Sequence, residues 1–214
     1  MQAAANRFRT LVKICGVRSP EEAAGILAMG ADAVGVVIAE GSPRRVEAPH
    51  ALSVAAACPE RTVLVGRGTE PAWGDLARSW PGPVQIHGPA RDLGRAFIRA
   101  IHQGEPAPAD EPSPVACLVD APAAGAGIAW NWESARTPWP DRPWILAGGL
   151  RVDSVVAAIR AVHPWAVDVS SGVERGRGVK DLALVREFIA SVRSCDADDG
   201  RTTDPTPASF ASLR

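Results

Sequence analysis

Short, almost wholly apolar runs return eight times between residues 11 and 171 of this chain, most of them followed by a segment of helical character. The runs are LVKIC (11–15), AVGVVIA (33–39), RTVLVG (61–66), PVQIHG (83–88), AFIRAI (96–101), VACLVDA (115–121), PWILAG (143–148) and PWAVDVSS (164–171). Apolarity at nearly every position is what a strand buried on both faces requires, and such strands occur in parallel sheets covered by helices. The helical partners include SPEEAAGILAMG, HALSVAAAC, PAWGDLARSW, VDSVVAAIRAV and KDLALVREFIASV. In the first, Ser19 can cap the helix, Pro20 suits its first position, Glu21 and Glu22 sit in the first turn and Gly30 ends it. A weaker segment lies near PARDLG, and the Pro-rich HQGEPAPADEPSP after the fifth run offers no convincing helix.

Alternating strand–helix units predict a parallel sheet, and eight of them predict a closed (β/α)8 barrel. Barrels of this class typically take about 250 residues; the chain has 214, so its loops must be lean. The rival architecture is a doubly wound open sheet, against which stands the absence of GxGxxG after the first run. Three regions follow: an extension (1–10), a barrel (11–194) and a polar tail (195–214) rich in Asp, Thr, Ser and Pro, expected to be disordered.

Lysine and arginine number 23 against 24 aspartates and glutamates, with no massed basic block, which argues against nucleic acid or an anionic membrane as partner. No stretch approaches the roughly 20 apolar residues of a membrane span, and the first ten residues lack the apolar core of a signal peptide. Cys15, Cys58, Cys117 and Cys195 are scattered without CxxC or Cys/His spacing, which fits reduced thiols in the cytoplasm and argues against zinc. A small molecule is the expected partner, bound by a monomer or a homodimer.

Barrel active sites lie at the carboxyl ends of the strands. The polar residues expected there are Cys15 after the first run, Arg44 after the second, Gln85 and His87 on the fourth, Asp120 on the sixth, and Asp168, Ser170 and Ser171 on the eighth. Gly148 and Gly149 after the seventh, with Ser170, Ser171 and Gly172 after the eighth, make two turns whose backbone N–H groups can converge on a phosphate. Plainer readings stand beside these. Cys15 would serve as a small core hydrophobe, His87 as a hydrogen-bonded rim residue and Arg44 as a solvated loop residue. Asp120 ends an apolar strand, where an unpaired carboxylate is expensive, so it must be paired, wet or useful.

KICG (13–16), GADAVGVVIAEGSPRRV (30–46), QIHG (85–88), LVD (118–120), LAGGL (146–150) and VDVSSGVERGRGVKD (167–181) together resemble the phosphoribosylanthranilate isomerases of tryptophan biosynthesis. The resemblance spans nearly the whole folded part. It implies an Amadori rearrangement of N-(5-phosphoribosyl)anthranilate with Cys15 as general base and Asp120 as general acid, and no metal or organic cofactor. It also implies that Arg44 holds the anthranilate carboxylate, that Gly149, Ser171 and Gly172 hold the phosphate, and that His87 and Asp168 line the pocket. A divergent paralogue acting on a related phosphosugar amine, or a barrel kept for binding, are the alternative readings. The departures are Arg67, standing where the family has an apolar residue, and a sixth loop with Ala124, Ala126 and Asn131 in place of the family's glycine, hydroxyl residue and aspartate. Lys13 shares a strand face with Cys15, and the sequence leaves open whether it approaches the thiol.

Overall fold

The computed structural model describes residues 8–70, 73–90, 92–102, 112–120, 142–201 and 209–213. Eight parallel strands close into a barrel in chain order: β1 (Leu11–Cys15), β2 (Ala33–Val37), β3 (Thr62–Arg67), β4 (Val84–His87), β5 (Ile98–His102), β6 (Ala116–Asp120), β7 (Trp144–Leu146) and β8 (Ala166–Val169). All eight apolar runs are strands, with ends that coincide or shift by a residue or a few. The closing pair sets Leu11 beside Ala166 and Ile14 beside Val169, so the sheet has no free edge in the barrel. Both faces of the strands are used. Val12, Ile14, Val34, Val36, Leu64 and Ile86 point outward under the helices, while Leu11, Ala33, Val63, Ile98, Leu118 and Ile145 fill the interior.

The outer layer includes α1 (Pro20–Ala28), α2 (Ala48–Ala56), α3 (Trp73–Ser79), α4 (Val155–Val162) and α5 (Leu182–Asp198). Ser19 caps α1 by accepting the Glu22 N–H at 3.1 Å, and Asp181 caps α5 by accepting from Ala183 and Leu184. No helix forms near PARDLG among the described residues. Gly88 and Gly94 turn the chain there with φ of +71° and +63°. Arg95 instead donates to the carbonyls of Ala77, Trp80 and Gly82, in the last turn of α3 and just beyond it. Most of the Pro-rich stretch (103–111) and the sixth loop, with Ala124, Ala126 and Asn131, lie outside the described residues. Among the described residues no helix is long and apolar enough to cross a membrane.

The boundary expected at residue 194 needs correction. α5 continues to Asp198, and Asp196 accepts from the backbone N–H and hydroxyl of Thr10, both at 2.9 Å, at the foot of β1. Arg201 donates to the Thr10 hydroxyl at 2.6 Å. Residues Phe210–Leu213 form a 3-10 turn whose Phe210 and Leu213 are buried with the interior side chains at the amino-terminal end of the strands. Phe210 packs on Trp165 with ring centroids 5.1 Å apart. A periodic apolar face is what the sequence reading looked for, and two apolar residues on one short turn suffice when the surface they meet is an open barrel end.

Candidate active site

The carboxyl ends of the strands surround a cavity of about 1050 Å³, lined by Cys15, Arg44, Gln85, His87, Asp120 and Asp168 from the expected set, with Gly148, Gly149, Ser170 and Ser171 at one side. Strand alternation explains the convergence. Cys15 follows Lys13 on the inner face of β1, Asp120 follows Leu118 on β6, and Asp168 follows Ala166 on β8. The sulfur of residue 15 and the carboxyl of residue 120 thus open into one compartment. Gly172 does not line it. A Cβ there would lie 1.9 Å from the Leu150 carbonyl oxygen, so this glycine lets the loop after β8 press against the loop after β7. Gly148 and Gly149 adopt φ of +85° and +67°, a turn that favours glycine.

Cys15 is buried, and burial pushes its thiol above the ordinary value of 9.0, while the nearby Lys13 and Lys180 ammonium groups pull the other way. Lys13 answers the question the sequence left open: it reaches the thiol and also pairs with Asp168 at 2.9 Å, fully buried. Burial disfavours the Lys13 charge, but Asp168 and Cys15 outweigh it and keep the ammonium protonated. Asp168 itself is raised by burial, with Lys13 opposing. The room for this group comes from β2. A Cβ on Gly35 would lie 2.9 Å from the sulfur and 3.2 Å from the Lys13 Nζ.

A second network, absent from the sequence reading, runs behind the first. Ser170 donates its hydroxyl to the Cys15 carbonyl at 2.9 Å, and the buried Lys180 donates to the Ser170 carbonyl at 3.0 Å and to Glu174 at 2.8 Å. Arg44 donates from Nε and Nη2 to the two Glu174 oxygens at 2.7 and 2.9 Å. Burial works against the Glu174 charge, yet bonds from Arg44, Lys180 and the Gly178 N–H bring its carboxyl down to about 2. Arg44 therefore reaches the cavity already gripped by two hydrogen bonds, with its stem lying against Gly16, where a Cβ would meet its Cδ at 2.4 Å. The signal for the Glu174–Lys180 part of this network, though not for Arg44, was a short hairpin in VERGRGVK: β9 (Glu174–Gly176) and β10 (Val179–Lys180) pair antiparallel and bring Glu174 beside Lys180.

His87 is driven down to about 4 by burial first, then by the positive charges of Lys13, Arg67, His102 and Arg99. It is neutral at pH 7, and its Nε2 meets the Gln85 amide nitrogen at 2.9 Å. Among the described residues no cluster of three or more His, Cys, Asp or Glu side chains could hold a metal ion. A thiol, a carboxyl group and a glycine turn thus share one cavity, which is the equipment that two proton transfers on a small molecule call for.

Comparison with known proteins gives the family. A family model described as N-(5'phosphoribosyl)anthranilate (PRA) isomerase matches residues 12–191. The N-(5'-phosphoribosyl)anthranilate isomerase of Halorhodospira halophila is 35% identical over 205 residues, covering 88% of this chain and 99% of that protein. Among solved structures, TrpF from Jonesia denitrificans superposes with a TM-score of 0.73 at 33% identity, covering 87% of this chain and 98% of the other. A phosphoribosyl anthranilate isomerase in complex with reduced 1-(o-carboxyphenylamino)-1-deoxyribulose 5-phosphate gives 0.68 at 27% identity, over 86% and 99%. The chain belongs to the N-(5'-phosphoribosyl)anthranilate isomerase family.

Proposed function

We propose that this chain converts N-(5'-phosphoribosyl)anthranilate to 1-(o-carboxyphenylamino)-1-deoxyribulose 5-phosphate, with Asp120 as general acid and Cys15 as general base. The phosphate is held by backbone N–H groups and hydroxyls of the loops after β7 and β8, at Gly148, Gly149, Ser170 and Ser171, with Gly172 keeping the two loops close. That anchor places the sugar over the barrel axis between β1 and β6. Asp120 gives its proton to the ring oxygen, the bond from that oxygen to C1 breaks, and the nitrogen lone pair completes an iminium. The Cys15 thiolate then takes the C2 proton, and the electron pair of that bond moves into the enolamine, which tautomerises to the ketone. One proton enters and one leaves, so two groups are needed and no electrons are exchanged with a cofactor.

The thiolate is the reactive form. Lys13 and Lys180 supply the positive field that burial demands, and Asp168 fixes Lys13 in place. Arg44 lies at the mouth toward the arylamine, and His87, neutral, lines the wall with Gln85. In this reading the enzyme works on a small phosphorylated substrate in the cytoplasm, as a monomer or homodimer, without metal or organic cofactor.

The observation that carries the proposal is that Cys15 and Asp120, 105 residues apart in the chain, line the same glycine-walled cavity. Loss of the substrate's fluorescence on adding purified protein tests it. Cys15→Ser and Asp120→Asn are each expected to lower kcat by at least about a hundredfold, the lower range for general acid–base groups, with unchanged melting temperature. Full turnover by either variant refutes the roles.

A further inference from the structure

We propose that Arg175 and Arg177, on the hairpin after β8, draw the substrate to the cavity mouth by their charge before it makes any contact. This rests on the function proposed above, whose substrate carries a phosphate and a carboxylate, about three negative charges at pH 7. Both arginines line the cavity and are exposed at its rim. Among the described residues neither makes a hydrogen bond or an ion pair. The hairpin that carries them is held at its base. Glu174 accepts from the Gly178 N–H at 3.0 Å, which closes the turn over residues 175–177, and the same carboxylate takes bonds from Lys180 and Arg44. Gly178 lies against the loop after β2, where a Cβ would stand 2.6 Å from the Pro43 carbonyl oxygen. Two uncommitted charges are therefore presented on a fixed frame.

The rest of the cavity has the same sign. Arg44, Arg67 and Arg99 also line it, against Asp120, Asp168 and Glu174. Two of those acids are answered by neighbours: Lys13 pairs with Asp168, and Arg44 and Lys180 pair with Glu174. On the wall beside β3, Arg67 and Arg99 stand with His102 and with His87, which is neutral at pH 7. The chain as a whole has a net charge of −1, so the positive field belongs to this mouth and not to the molecule at large. A cleft lined by one sign of charge, with walls of low dielectric, focuses field lines and raises the rate at which an oppositely charged ligand arrives. The cations differ in reach. Arg99 is buried within the barrel and Arg44 is engaged by Glu174, whereas Arg175 and Arg177, two positions apart at the rim, set two charges side by side where the field extends into solvent.

Stopped-flow tryptophan fluorescence of the full chain with reduced 1-(o-carboxyphenylamino)-1-deoxyribulose 5-phosphate tests this, because it reads association and dissociation separately. In Arg175→Gln/Arg177→Gln the association rate is expected to fall roughly 5- to 10-fold at about 10 mM salt, where screening acts over about 30 Å, and less than about twofold at about 1 M, where it acts over about 3 Å. The dissociation rate should stay within about twofold of the wild type, since steering acts on arrival. Arg175→Lys/Arg177→Lys should keep the wild-type rates, because steering needs the charge and not the guanidinium fork, and Arg175→Glu/Arg177→Glu should slow association further. A glutamine variant that loses affinity through faster dissociation, or a lysine variant as slow as the glutamine one, overturns the proposal in favour of direct contact; an association rate untouched by the substitutions overturns it outright. Binding is read whether or not chemistry follows. Wild-type protein that shows the salt-sensitive association yet fails to turn over N-(5'-phosphoribosyl)anthranilate therefore counts against the function and not against the hairpin, and wild-type protein that does not bind the ligand overturns both.

Discussion

Phe210→Ala offers the sharpest test of the unexpected end of this chain. The Phe210 ring is 1% exposed, tilted 50° to Trp165 at 5.1 Å, and buried with the interior side chains at the foot of the barrel. Removing it forfeits about 1.5–3 kcal/mol of burial and about 0.5–1.5 kcal/mol of aromatic pairing. The segment is a single four-residue turn, so it can settle partly into the space, which favours a total near 3 kcal/mol over the upper end of the range for core phenylalanines. For a chain of this size each kcal/mol moves the melting temperature by about 2–4 °C, so the variant should melt roughly 6–12 °C lower. Calorimetry on the full chain, Phe210→Ala, Phe210→Ala/Leu213→Ala and a chain ending at Arg201 checks this. If the turn acts as one unit, the double variant approaches the truncated chain. The kcat/KM should hardly change, because the turn sits at the opposite end from the cavity. Equal melting of all four proteins refutes the idea that this turn closes the barrel.

Lys13→Met should destabilise by about 3–5 kcal/mol, because Asp168 would be left as an unpaired buried charge, and should abolish turnover; Lys13→Met/Asp168→Leu should recover much of the stability and none of the activity, as measured by urea unfolding and the fluorescence assay. His87 titrates near 4 in the fold against 6.5 ordinarily, so between those values the unfolded chain binds more protons and stability falls as the pH drops. The loss should reach on the order of 3 kcal/mol near pH 4 and be much smaller in His87→Gln, read from urea midpoints at each pH. Glu174 runs the same way lower down: its carboxyl lies near 2 against 4.5, so its stabilisation is present above pH 4.5 and fades toward pH 2, and Glu174→Gln should flatten that limb.

Much of this architecture was legible because it rests on local patterns. Apolar runs at the spacing of strand–helix units specify the barrel, and alternation along each strand then puts Cys15, Asp120 and Asp168 on the inner face. What stayed hidden depends on distance in space. Nothing in the order of residues says that Glu174 will hold Arg44, since the pair forms only when the hairpin after β8 folds toward the loop after β2. The steric task of Gly172 was equally hidden, since it is set by a carbonyl from the preceding loop. The tail looked featureless because its anchors are two side chains meeting interior residues supplied by strands far apart in the chain. Near PARDLG the helical signal failed against two left-handed glycines.

Gly35 has the last consequence. Its bare Cα leaves room for both the thiol and the ammonium of the neighbouring strand, since even one methyl group would stand 2.9 Å from the sulfur. Transplanting this proton-transfer pair into another barrel therefore begins with hollowing out the adjoining strand, and only then with importing the cysteine and lysine.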